Sequence, residues 1–259
     1  MWASSALHLN DATESRYAID VLRAELKRRL DSVTESAALS RHWKDFYEEW
    51  EGKTGSPVLA DGNTPVYVLS FSANGNQLSQ WRAYCRHGAG FSMGFAFSDL
   101  AYALATSEFL LVRCVYQPRE QAALVSAGID YMQRAWRRAD GFLGLKGLSF
   151  VLRTGMKFMA VMQAIKHESF KEEEEWRLVG YESPNAPRRF RVGRFGVVPY
   201  CAVPLCPPEQ KPTVGRVYIG PSEDPAVARI AVSDLLWAHA ARVQGQDDRV
   251  VESGIPYRG

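Results

Sequence analysis

The sequence predicts an α+β fold: a mixed, mostly antiparallel sheet with an N-terminal helical pair and a central helical layer. Three observations carry this. Strand and helix signals do not alternate as βα units, so a doubly wound sheet is disfavoured. Two long helical stretches, 118–138 and 146–166, separate two strand-rich regions. From Glu174 onward the pattern becomes a series of short strands.

In chain order, Tyr17, Ile19, Leu22 and Leu26 follow helical spacing, and Asp11 with Glu14 resembles a capping box, so a helix is expected over 12–31. Leu39, Trp43, Phe46 and Trp50 predict a second helix over 36–51, and the Gly- and Pro-bearing stretch 52–65 reads as a loop. The β-branched and aromatic run 65–72 is a strand. Leu78, Trp81 and Tyr84 mark a short helix over 77–86, with Trp81 on its core side. A strand is expected at 91–97, a helix at 98–106 and a strand at 109–116. The central helical layer, 117–168, should cover one sheet face through residues such as Leu148, Met159 and Val161. Strands at 176–181, 188–192, 197–204 and 214–220, a helix at 224–241 and a strand at 249–253 complete the reading. All of this is expected to form one domain, 1–259, with 1–52 as its N-terminal helical segment.

The chain has 259 residues, with 31 Lys and Arg against 29 Asp and Glu. That near-neutral balance excludes a uniformly basic nucleic-acid binder and leaves a local basic patch open. Cys85, Cys114, Cys201 and Cys206 form no C-x-x-C pair, so buried, reduced thiols are expected rather than zinc ligands. The histidines are scattered and no metal-binding spacing occurs, so no metal is expected. The first ten residues have no basic and apolar halves of a signal peptide, and no apolar run nears the ~20 residues of a membrane helix. A cytoplasmic protein without membrane association is the expectation.

The sharpest local anomaly is Lys171-Glu-Glu-Glu-Glu-Trp-Arg-Leu-Val179. Four acids run directly into an apolar strand, and strand alternation would put Glu173 and Glu175 on one face. Carboxylates so paired can hold a sugar hydroxyl and activate a nucleophile; a solvated acidic face is the plain alternative. Arg177, inside the apolar strand, should be buried or half-buried and paired with a carboxylate such as Glu175 or Asp11. Gly88-Ala-Gly90-Phe-Ser-Met-Gly94 has the wrong spacing for a phosphate loop, and close backbone approach within a sheet explains it better. Ser70 and Ser72 end a strand where hydroxyls satisfy turn backbone, and no nucleophile elbow surrounds them.

Several segments in order resemble one bacterial family. They are Leu9-Asn-Asp-Ala-Thr-Glu14, Leu69-Ser-Phe-Ser72 with Gln80-Trp-Arg-Ala-Tyr84, Gly88 to Phe95, and Glu174-Glu-Trp-Arg-Leu178. Arg194-Phe-Gly-Val-Val-Pro-Tyr200, Ile219-Gly-Pro221 and Ser253-Gly-Ile-Pro-Tyr-Arg258 continue the series. The family is domain of unknown function 2971. Its members commonly open with a strand resembling Leu-Tyr-His-Tyr-Thr and a short helix ahead of Trp-Ala-Ser-Ser; here Trp2 to Ser5 opens the sequence, so that element is expected to be missing, truncated or lost through a late start codon.

The same layout is similar to toxin-type ADP-ribosyltransferases, which carry an Arg or His on a first strand, Ser-Thr-Ser on a second and Glu-x-Glu before a later one. That resemblance implies NAD as a substrate, with Ser70 and Ser72 at its site and Ser70 positioning Glu175. Glu175 would bind the ribose hydroxyl and stabilise an oxocarbenium-like transition state, and Glu173 would activate a protein or nucleic-acid acceptor. Arg82 is the substitute considered for the missing first-strand cation. The resemblance implies an NAD-consuming transferase or glycohydrolase in a defence or toxin system. The competing expectation is a non-catalytic ligand- or partner-binding module, in which Trp81, Arg82, Tyr84, Glu175 and Arg177 are structural.

Overall fold

The structure, a computed structural model, describes residues 1–9, 12–32, 66–85, 90–139, 155–181, 188–193, 196–239 and 249–256. It is an α+β fold. The elements are β1 (Trp2–Ser5), α1 (Ala12–Ser32), β2 (Val66–Ser72), α2 (Leu78–Tyr84), β3 (Phe91–Met93), α3 (Phe97–Thr106) and β4 (Phe109–Arg113). There follow α4 (Pro118–Ala139), α5 (155–162), β5 (Glu175–Tyr181), β6 (Arg189–Gly193), β7 (Gly196–Ala202), β8 (Val217–Ile219), α6 (Pro225–His239) and β9 (Val250–Glu252). The chain falls into two compact units, Trp2–Phe71 with Glu108–Cys201, and Ser72–Ser107 with Ala202–Gly259 and Met1.

The larger unit is built on a six-stranded sheet of order β4-β5-β2-β1-β7-β6. The pairs β4/β5, β1/β2 and β6/β7 are antiparallel, with Val112 opposite Arg177, Ser4 opposite Val68 and Arg189 opposite Tyr200. Ala18, Leu22 and Leu26 place the apolar stripe of α1 against Val125 and Ile129 of α4 and against Phe158, Met159 and Met162 of α5. Each such leucine withdrawn from water contributes about 1.5–3 kcal/mol. Gly128 leaves room for the Phe158 ring, which a Cβ there would meet at 2.1 Å. An ion pair adds to this helix contact: Arg29, held by Glu25 on its own helix, reaches Asp130 of α4 at 2.7 Å.

The layer formed by α5 lies on one face of the sheet, where Ala160 joins Val66, Val68 and Val179. The segment 156–166 then runs along the inner side of β5 step by step. Met156 carbonyl accepts from Tyr181, Ala160 packs on Val179, Gln163 carbonyl accepts from Arg177, and Lys166 bonds Glu175. Of the helical cover expected for 118–166, residues 118–139 and 155–162 are helical among those described. Residues 163–164 turn, and Ile165 forms a parallel bridge with Val115, so 165–166 are extended. The bridge to the end of β4 outcompetes continued helix there.

In the smaller unit a three-stranded sheet has order β3-β8-β9, with β3/β8 antiparallel and β8/β9 parallel. Val232 and Leu236 of α6 cover Val217, Ile219 and Val250, making one local βαβ unit that the sequence pattern did not suggest. Trp81 is buried, as its helical spacing predicts: its Nε1 donates to Asn76 at 2.9 Å, and its ring lies over Gly220. Gly90 fits the close-approach reading of the glycine stretch, since its carbonyl accepts from Gly220 N at 2.8 Å. The expected strand 91–97 stops at Met93, because Phe97 already begins α3.

One element had no sequence signal. Trp2–Ser5, for which the sequence reading assigns no element, is an internal strand between β2 and β7. Three of its four residues are small, so it offers no apolar alternation to read. The second N-terminal helix (36–51), the loop 52–65, the first part of the helix expected over 146–166 and the Asp11 cap lie outside the described residues.

Candidate functional site

The acidic run does not enter the strand as a regular alternation. Residues Glu168–Glu173 form a 3-10 helix whose first turn is capped by the His167 ring, which accepts from Ser169 N. Glu174 then takes a left-handed conformation (φ 44°, ψ 47°), which breaks the helix and turns the chain into β5 at Glu175. The expectation that alternation aligns Glu173 with Glu175 is therefore corrected in its cause, although the two do converge. Lys166 Nζ donates to Glu173 at 2.5 Å and to Glu175 at 2.6 Å.

Over the first three residues of the strand Glu175 and Arg177 are inward and Trp176 is partly exposed, and Leu178 and Val179 are both buried. Arg177 binds Glu175 in bidentate fashion, Nε to Oε1 at 2.8 Å and Nη2 to Oε2 at 2.9 Å. Its Nη1 donates to the Gln163 carbonyl at 2.8 Å. The backbone N–H of Glu175 donates to the Tyr116 hydroxyl at 2.9 Å, fixing the strand start against the end of β4. Glu175 is 5% exposed, and Arg177 and Lys166 are each 3% exposed. Ions this deep are tolerated only when paired and fully hydrogen-bonded. Here two cations meet two carboxylates, and both oxygens of Glu175 are occupied.

Burial alone would push the Glu175 carboxyl up, but the Arg177 hydrogen bonds and the charges of Arg177 and Lys166 outweigh it and hold the pKa down at about 2. Burial pushes Tyr116 up to about 12. The depressed carboxyl has a consequence for stability. Between pH ~5 and ~2 the unfolded chain binds a proton that folded Glu175 refuses, so its contribution is complete above that window and is lost as pH falls through it. Denaturant unfolding should therefore weaken across this range. Glu175→Gln should flatten the decline in part, since Glu25 is also held near 2, mainly by its hydrogen bond from Arg28 against the opposing effect of burial.

The remaining sequence candidates are placed differently. Ser70 is exposed on β2, the strand hydrogen-bonded beside β5, and is not among the described partners of Glu175. Ser72 closes a turn, its hydroxyl donating to the Asn74 carbonyl and accepting from Asn74 N. Arg82 is exposed on α2, in the smaller unit. A strand does stand beside β2, but it carries Trp2, Ala3, Ser4 and Ser5 and no Arg or His. Among the described residues, no three His, Cys, Asp or Glu side chains are grouped to hold a metal, and no helix is long and apolar enough to cross a membrane.

Three residues of this site, Lys166, Gln121 and Tyr116, were missed from sequence. Lys166 is a lone cation closing the stretch from Phe158 to Ile165, apolar except for Gln163, a signal of the same kind as Arg177 in its strand. Gln121, completely buried, donates to the carbonyls of Val115 and Lys166 and accepts from Tyr17, clamping the segment that presents Lys166.

Fold and site together define an α+β protein with a buried, charge-balanced Glu–Arg–Lys cluster at the start of β5. A family model described as a protein of unknown function (DUF2971) matches residues 80–178, the stretch holding Trp81, Lys166, Glu173, Glu175 and Arg177. No curated protein and no solved structure matches the chain.

Proposed function

We propose that this chain is a non-catalytic binding module in which the Glu175 cluster holds the fold. The observation that carries this reading is the saturation of Glu175. Arg177 and Lys166 occupy both its oxygens inside the protein. A carboxylate that stabilises an oxocarbenium ion must face the sugar, and its charge is useful only where no other cation has already neutralised it. Glu175 would have to surrender Lys166 and part of Arg177 before it met a ribose.

One observation favours the second reading, an NAD-consuming transferase or glycohydrolase acting with Ser70, Ser72 and Arg82. Glu173 and Glu175 converge on a single ammonium group, the closeness that a Glu-x-Glu pair requires. Incubation with NAD and chromatography for free nicotinamide separates the two. The binding-module reading expects no release above buffer. Release that Glu175→Gln lowers by at least ~100-fold, with the fold intact, would establish the enzyme instead.

A further inference from the structure

We infer that the β1–β7–β6 end of the larger sheet binds single-stranded nucleic acid. This goes beyond the binding-module reading and uses none of the residues of the Glu175 cluster. From Ser183 to Pro208 the sequence has four arginines, Arg188, Arg189, Arg191 and Arg194, and no Asp or Glu, while the rest of the chain is net acidic. The basic charge that the whole composition hides is gathered in this stretch, which puts Arg189 and Arg191 on β6.

The fold gives this charge a surface. Trp2 on β1 is 59% exposed, and its ring lies 4.9 Å from that of Tyr200 on β7, tilted by 37°. Arg189, on the edge strand β6, stands directly across from Tyr200 in register, so their side chains share a face. Arg191, two residues on, shares that face as well, and its Nη2 donates to Ser4 Oγ of β1 at 2.8 Å, which orients the guanidinium over the sheet. An exposed indole beside a half-buried tyrosine, flanked by the exposed Arg189 and the half-buried Arg191, matches the chemistry of unpaired bases joined by phosphates. Bases stack on aromatic rings while guanidinium groups meet the backbone. A duplex hides its base faces and gains only the charge. An acidic peptide likewise gains the charge but has no base to place on Trp2.

The test is fluorescence anisotropy of labelled oligonucleotides of about 12 nucleotides, single-stranded DNA and RNA separately, titrated with the full chain. Binding is expected to at least one single strand and to weaken with salt at a log–log slope of roughly −1.4 to −2.1, as two or three phosphates are neutralised. Trp2→Ala should weaken binding by about 10-fold and Trp2→Phe should retain it, because a stacking ring is what counts. Arg189→Glu should weaken it by about 10-fold with the melting temperature unchanged, since that side chain is exposed. The same DNA as duplex, and polyglutamate as competitor, should each bind at least about 10-fold more weakly. Absence of single-strand binding at low salt, equal binding of duplex or polyglutamate, or indifference to Trp2→Ala in a folded variant would each overturn the proposal. Failure here leaves the reading of Glu175 standing, and nicotinamide release would leave this surface standing.

Discussion

Arg177→Ala is expected to lower the free energy of unfolding by about 3–5 kcal/mol, the largest single-residue effect in the larger unit. The substitution strips Glu175 of its bidentate partner while leaving its carboxylate buried, and it leaves the Gln163 carbonyl without its donor. Lys166 remains, but one ammonium shared with Glu173 cannot satisfy both oxygens of a buried carboxylate. The carboxyl then escapes the cost by taking up a proton, so the variant should also lose the acid-range decline in stability that Glu175 causes in the parent. Arg177→Lys should recover little, because an ammonium cannot make the two parallel bonds of the guanidinium fork. Urea unfolding at neutral and acidic pH checks both statements. A variant as stable as the parent would show that the pair is ornamental.

In the smaller unit the corresponding effect belongs to Trp81. Trp81→Ala should cost about 3–5 kcal/mol, through the cavity left by the indole and the loss of its bond to Asn76. Asn76 ties this ring to the last described segment of the chain, its Nδ2 donating to the Ser253 carbonyl at 2.8 Å. The loss therefore also loosens the edge at β9. Trp81→Phe should recover most of the packing but not the hydrogen bond. Thermal unfolding followed by circular dichroism reads the difference, and an unchanged melting temperature in Trp81→Ala would contradict the placement of this ring in the core.

What was legible in the sequence was what local pattern controls. The helical stripe of α1 and the apolar run of β2 could be read because their apolar residues follow a local pattern within each segment. Arg177 was readable for a related reason: a cation within an apolar strand demands a carboxylate, and Glu175 two residues back shares its face. Features settled by distant partners could not be read. β1 is a strand because β2 and β7 pair with it, not because Trp-Ala-Ser-Ser favours extension. The segment 155–166 leaves its helix at 162 because Val115 offers the backbone of Lys166 and Ala164 a sheet-like bridge. That exit aims Lys166 at the two glutamates. The resemblance to ADP-ribosyltransferases rested on the order of Ser70, Ser72, Glu173 and Glu175, and order alone does not say which cations will reach a carboxylate first.

The most direct measurement of the central claim is a double-mutant cycle in urea unfolding across Glu175→Gln, Arg177→Ala and the two together. If the cluster holds the fold, each single change is strongly destabilising and the pair is coupled by roughly 2–3 kcal/mol, so that the double variant costs far less than the sum. Additive losses with no coupling, or single variants as stable as the parent, would contradict a structural role for Glu175.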